Sequence, residues 1–170
     1  MSMIRPLEDK DVETVCRIVN ENWKTVYAEY VGPSLLDSAG CAERTRRLKL
    51  DFDSRRFSEY VWDEGGQTAA MLSFGEAGDD DAAGALEIWR VYVAAPFQGK
   101  GIGRELLAFA ERQARAQGRE KIVIWAFKKN ERAVSFYQKH GYSIDKEKYL
   151  GEPYCAAGVR LVKALLPQMG

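Results

Sequence analysis

The sequence predicts an α/β or α+β domain on a mixed sheet, with residues 1–170 forming one unit. Three observations predict it. Strand-like and helix-like patterns follow the order strand, helix, helix, three strands, helix, strand, helix, two strands. A strand around 85–94 runs into a glycine-rich loop and then directly into a helix. Ile122–Phe127 is a nearly continuous apolar run, the kind buried on both faces of a sheet.

A short opening strand is expected around Met3 to Arg5. Val12, Val15, Cys16, Val19, Trp23 and Val26 then recur at spacings that place them on one face of a helix, with Asp9 or Asp11 as its cap. Gly32-Pro33 breaks this helix and Ser34 restarts a short turn. A second helix is expected from about Ala42 to Leu50, its Arg44, Arg46, Arg47 and Lys49 forming a solvated face. Phe57 to Trp62 and Thr68 to Phe74 flank Gly65-Gly66, a hairpin signal. Asp79-Asp80-Asp81 reads as a solvated turn rather than a metal site, because no further ligands lie at suitable spacing. The helix from Ile102 to Gln117 carries Leu106, Leu107, Ala110 and Ala114 on one side and stops at Gly118. Asn130 starts the last helix, which Gly141 ends, and two strands follow around Tyr142 to Lys148 and Ala156 to Lys163.

Lys plus Arg and Asp plus Glu number 25 each, so the chain lacks the basic excess of a nucleic-acid binder. No apolar run approaches the ~20 residues that span a bilayer, and the N-terminus has no signal-peptide core, so the expected compartment is the cytoplasm. Cys16, Cys41 and Cys155 are scattered and His140 is the sole histidine, so no metal is expected.

The chemistry points to residues 98–104. The first N–H groups of a helix lack internal partners, and the helix dipole adds positive potential there. Glycines let the backbone come close to an anion, and Lys100 and Arg104 add charge. The glycines at 99, 101 and 103 fit neither the dinucleotide fingerprint nor the P-loop pattern. What they do leave is Q-x-x-G-x-G after a strand and before a helix.

Val91-Tyr92-Val93-Ala94-Ala95-Pro96-Phe97-Gln98-Gly99-Lys100-Gly101-Ile102-Gly103 resembles the acetyl-CoA-binding motif of the GNAT acetyltransferase superfamily. Asn130, Ala133, Phe136, Tyr137, Gly141 and Tyr142 resemble a second stretch of that superfamily, in the right order. Pro96 sits one position later than the proline common in this turn. The resemblance implies a mostly antiparallel sheet of about seven strands with splayed central strands, flanked by about four helices. It also implies acetyl-CoA as cofactor. Backbone amides from Gln98, Gly99, Lys100, Gly101, Ile102, Gly103 and Arg104 would hold the pyrophosphate, and Val91, Tyr92 and Val93 would pair with the pantetheine arm. Asn130, Ala133, Phe136 and Tyr137 would line that arm.

Transfer to an amine expels a thiolate, for which the resemblance makes Tyr137 the general acid. It makes Glu87 the candidate base. Simple alternation would put Glu87, Trp89, Val91 and Val93 on one face unless a bulge intervenes. Trp23, Tyr27 and Tyr30 fall at helical spacings and are the expected acceptor-binding residues, with Glu29 and Asp37 as possible partners for a cation. Trp125 and Tyr154 would border the same channel. The expected function is N-acetylation of a small primary amine such as a polyamine. The alternatives are a protein or peptide N-terminal acetyltransferase and a non-catalytic acetyl-CoA sensor. The family resemblance also makes a homodimer plausible.

Overall fold

A computed structural model describes residues 1–29 and 31–165. Seven strands form one sheet in the order β1-β2-β3-β4-β5-β7-β6. They are β1 (Ser2–Pro6), β2 (Ser58–Glu64), β3 (Gln67–Glu76), β4 (Leu86–Val93), β5 (Lys121–Phe127), β6 (Ser143–Tyr149) and β7 (Ala157–Ala164). Every pairing is antiparallel except β4 with β5. The helices are α1 (Val12–Val26), α2 (Ser38–Ser54), α3 (Ile102–Ala116) and α4 (Glu131–Lys139). This is the mixed, mostly antiparallel fold expected from the sequence.

The sheet separates two apolar layers. On one side Leu106, Leu107, Ala110 and Ala114 of α3 pack with Leu72, Phe74, Ile88 and Ile122. On the other, Val15, Cys16 and Val19 of α1 and Leu48 of α2 pack with Val61 and Met71. Each buried Val, Leu, Ile, Phe or Met among them contributes roughly 1.5–3 kcal/mol, so the sheet is anchored on both faces. That rigidity is what positions a site at its centre.

The site depends on how β4 and β5 part. They pair only at Leu86–Ile122, Glu87–Val123 and Ile88–Ile124. Beyond Ile88, β4 continues along β3 as far as Val93, and β5 continues along β7 as far as Phe127. The β3–β4 register shifts at the same place: Ser73 faces Arg90 and Phe74 faces Ile88, so Trp89 is an extra residue. A bulge bends its strand and increases local twist, which swings the end of β4 away from β5.

Several local expectations change. Asp11 precedes α1 but its side chain does not cap it. Its carboxylate instead takes two bonds from Arg5, at 2.7 and 2.9 Å, and one from Thr68 at 3.0 Å. The second helix starts earlier and ends later than Ala42–Leu50, because Asp37 caps it through Gly40 N. Its arginines are not all solvated. Arg46 and Arg47 pair with Glu43 on the surface, but Arg44 lies 4.4 Å over the Trp23 ring and donates to the Leu35 carbonyl. Among the described residues no helix is long and apolar enough to cross a membrane, and no cluster could hold a metal.

Candidate active site

Two cavities flank the gap between β4 and β5. The first, of about 370 Å³, is walled by Val91, Tyr92 and Val93, by the loop from Gln98 to Arg104 except Lys100, and by Phe136. The second, of about 510 Å³, is walled by Glu87, Trp89, Trp125 and Phe127, by Trp23 from α1, and by Gly78, Asp79 and Tyr154 from loops. Tyr27, Tyr92, Asn130, Ala133 and Tyr137 border both. A ligand lying in the first cavity therefore meets the second at these five residues.

The first cavity is built by the glycine loop. Gly99 and Gly101 have φ of 77° and 84°, a region that other residues enter with strain. Gly101 caps α3, and its carbonyl accepts from Glu105 N at 3.1 Å. The N–H groups before Glu105 thus begin the helix with no carbonyl one turn behind them. A Cβ on Gly103 would stand 3.6 Å from the Phe136 ring, narrowing the cradle. Open glycine backbone, amides with no partner among the described residues and a strand edge fit a phosphate-bearing, extended ligand. Gly101→Ala should destabilise the fold by about 1–2 kcal/mol and weaken acetyl-CoA binding. Thermal unfolding and calorimetric titration measure the two effects separately.

Not every residue expected here lines the cavity. Lys100 is exposed, off the cavity wall, with its ammonium 5.6 Å above the Phe97 ring. Arg104 is on the wall and also lies 3.8 Å from Glu105. Gln98 uses its side chain to hold the loop, donating to the Val93 carbonyl at 3.0 Å. Asn22, which the sequence did not single out, donates to the same carbonyl at 3.2 Å. The Val93 carbonyl is thus already engaged by two side chains, while Val91, Tyr92 and Val93 all remain on the cavity wall. Asn130 accepts from Ala133 N at 3.3 Å, so its oxygen caps α4, and its amide nitrogen donates to nothing among the described residues.

The second cavity has an aromatic wall. Trp23 and Tyr27 meet edge to face at 4.7 Å, Tyr27 and Phe127 at 5.3 Å, and Phe127 and Tyr154 at 6.0 Å. Tyr30 lies outside the described residues. Trp23 Nε1 donates to the Tyr92 hydroxyl at 3.2 Å, tying α1 to β4 where the cavities join. Glu29 and Asp37 are not on the wall, and Asp37 serves as a helix cap. The carboxylates present are Glu87 and Asp79. Lys148 is exposed and borders the cavity.

Glu87 does not share a face with Val91 and Val93. The bulge at Trp89 resets the alternation, so Glu87 stands opposite Gly75, while Val91 and Val93 stand opposite Leu72 and Ala70. Leu72, Ala70, Val91 and Val93 belong to the α3 side; Tyr92, opposite Met71, belongs to the α1 side. Glu87 consequently faces the second cavity. It is 4% exposed, and its Oε1 accepts from Gly78 N at 3.0 Å. Burial pushes its pKa up to about 7; the Gly78 bond opposes this and the Asp79 charge adds to it. Gly78 allows a close approach: a Cβ there would be 2.9 Å from the Trp89 ring.

Asp80 and Asp81 are exposed on a surface turn, as expected, but Asp79 is half-buried and Asp81 is ion-paired. Arg160, 4% exposed on β7, donates to Asp79 at 3.2 Å, to Asp81 at 2.6 and 3.1 Å, and to Asp145 at 2.9 and 3.0 Å. Trp125 Nε1 donates to Asp79 at 2.8 Å. These bonds fix the β3–β4 loop against the second cavity. Tyr137 is 7% exposed, and burial pushes its phenol well above the ordinary value, so it stays protonated. Its hydroxyl makes no hydrogen bond among the described residues. His140 ends α4, with Nδ1 2.8 Å from the Phe136 carbonyl, away from both cavities.

Residues 18–142 match the Acetyltransferase (GNAT) family. The chain belongs to the GNAT acetyltransferase family. This GNAT chain is 30% identical over 112 residues to an uncharacterized N-acetyltransferase of Prochlorococcus marinus, covering 65% of this chain and 60% of that one. It is 25% identical over 151 residues to the spermidine N(1)-acetyltransferase of Thermoplasma acidophilum, covering 84% of this chain and 88% of that one. Among solved structures, a PaiA N-acetyltransferase from Thermoplasma acidophilum in complex with coenzyme A superimposes with a TM-score of 0.77 at 20% identity, covering 96% and 99% of the two chains. The GNAT chain is thus an acyltransferase with acetyl-CoA as its cofactor, and the first cavity has the open backbone that such a cofactor requires.

Proposed function

We propose that this enzyme transfers an acetyl group from acetyl-CoA directly to the primary amine of a small molecule, with polyamines as the leading acceptor class. The observation that carries the proposal is the meeting of the two cavities at Tyr27, Tyr92, Asn130, Ala133 and Tyr137, with a buried carboxylate in one and the glycine loop in the other. Acetyl-CoA supplies the activated acyl group. The chain's own residues supply binding and proton transfer.

In this reading the loop amides from Gln98 to Arg104 other than Lys100 would bind the pyrophosphate, while the open edge of β4, Asn130, Ala133 and Phe136 would line the pantetheine arm. Trp23, Tyr27, Phe127 and Tyr154 pack on the acceptor's carbon chain. Glu87 Oε2 accepts no hydrogen bond among the described residues and takes the proton that the ammonium must lose before attack. Tyr137 hands a proton, or a hydrogen bond, to the departing sulfur. The spermidine acetyltransferase similarity and the carboxylates of the second cavity support a cationic acceptor. A peptide N-terminus is the second acceptor class that the family resemblance brings. We place the reaction in the cytoplasm, which suits three free cysteines. We propose a homodimer on the family resemblance alone; size-exclusion with light scattering tests it.

The test is thiol release from acetyl-CoA against polyamines, amino acids, aminoglycosides and short peptides. Release that depends on small amines is expected. Release with peptides alone would move the acceptor to protein N-termini. Acetyl-CoA binding with no amine-dependent release would overturn the proposal.

A further inference from the structure

Asp79 adds a second carboxylate to the acceptor cavity, and its two oxygens are used unequally. Trp125 Nε1 and Arg160 Nη1 both donate to Oδ2, at 2.8 and 3.2 Å. Oδ1 accepts nothing among the described residues. Arg160 cannot neutralise the group alone, because it is shared with Asp81 and Asp145. Lys146 pairs with Asp81 at 3.2 Å, so two cations face three carboxylates and one negative charge remains. The neighbouring Gly78 gives its N–H to Glu87, which places Asp79 one residue from the group that binds the proposed base. Glu87 is itself 4% exposed, with Oε2 unpartnered toward the same cavity. Two carboxylates with free oxygens, beside rings that suit an alkyl chain, match a molecule with two ammonium groups.

We propose that Asp79 Oδ1 is a cation-binding subsite that holds the second, non-reacting ammonium of a diamine-type acceptor while the first reacts near Glu87. Trp125 and Arg160 act as positioning residues: they fix Oδ2 and so aim Oδ1. The inference rests on the small-amine reading above and adds to it a requirement for a second positive charge. Lys148 at the rim offers the opposite choice, an acceptor with a carboxylate in place of the second amine.

The experiment compares kcat/KM for putrescine, n-butylamine and leucine, in the wild type and in Asp79→Asn, at a pH well above the titration of Glu87. Asparagine keeps an oxygen for Trp125 while it removes the charge and puts an NH2 donor in place of the free Oδ1 acceptor. The wild type should prefer putrescine over butylamine by about tenfold or more, beyond the statistical factor of its two equivalent amines. In Asp79→Asn this preference should fall to within about twofold, through a loss for putrescine that is larger than the loss for butylamine. Equal wild-type rates for the two amines would overturn the proposal, and this reading does not depend on the variant folding. Equal losses for both amines in the variant would also overturn it. A preference for leucine would assign the second group to Lys148. No turnover with any amine, with acetyl-CoA bound, would instead sink the small-amine reading and this subsite with it.

Discussion

Glu87→Gln should lower kcat/KM for the acceptor amine by about 10²–10³-fold, the usual contribution of one general base. The same substitution should make the protein more stable at neutral and alkaline pH. Both follow from a carboxylate that is 4% exposed and whose pKa burial pushes up to about 7. An unfolded glutamate titrates near 4.5. The folded protein therefore binds this proton more tightly than the unfolded chain. The stability that Glu87 allows is complete below about pH 4.5, falls as pH rises, and is lost above about pH 7. Glutamine, neutral throughout, avoids that loss and keeps an oxygen for Gly78 N. The variant should match the wild type at acid pH and exceed it by about 2–3 kcal/mol above pH 7. Denaturant melts across this range measure the difference.

Activity should run the opposite way. Wild-type kcat/KM should rise with pH through about 7 as Glu87 ionises, and the variant should lose that limb. A variant with wild-type rate and profile would remove Glu87 from proton transfer. A variant that loses activity without gaining stability would show that Glu87 is not held in this raised state.

Tyr137→Phe should lower kcat by about 10–100-fold and leave acetyl-CoA affinity nearly unchanged. Tyr137 borders both cavities, so its ring packs in either variant and only the hydroxyl is lost. Burial keeps the phenol protonated, which makes it a donor at the pH of the reaction. With no internal partner among the described residues, its hydroxyl can be removed without breaking a network. Phenylalanine should therefore fold normally. Pre-steady-state acyl transfer, together with calorimetric titration of acetyl-CoA, separates the step from binding. Unchanged transfer would eliminate Tyr137 as the acid and turn attention to Tyr92, whose hydroxyl receives the Trp23 bond at the same junction.

Much of the site was legible from sequence because it is made of neighbours. Gly99 and Gly101 adopt the positive φ that their residue type favours, and Gly101 sits at the start of the next helix. Asn130 caps α4 through a residue three positions on. Trp23 and Tyr27, four apart on one helix face, meet on the same wall. What failed to show was set at a distance. Asp79 read as a solvated turn because the groups that bind it, Trp125 and Arg160, lie 46 and 81 positions away. Arg160 carried no signal, since one arginine in a strand pattern reads as a solvated alternate. Asn22 was hidden likewise: its bond to Val93 spans 71 positions.

The sequence by itself determined the alternation of elements, the glycine cradle at the start of α3 and the tyrosine at the junction. The first two are properties of local backbone geometry and side-chain period; the tyrosine is what the family resemblance implies. Only the tertiary structure decided which face Glu87 takes and what charge surrounds it. One extra residue at Trp89 resets the alternation and splays β4 from β5, and so delivers the carboxylate to the second cavity. That outcome depends on β3 as the partner strand and on burial by residues remote in the chain. A strand's period cannot reveal a bulge until its neighbour is in register, and a carboxylate's proton affinity is not set until water has been excluded around it.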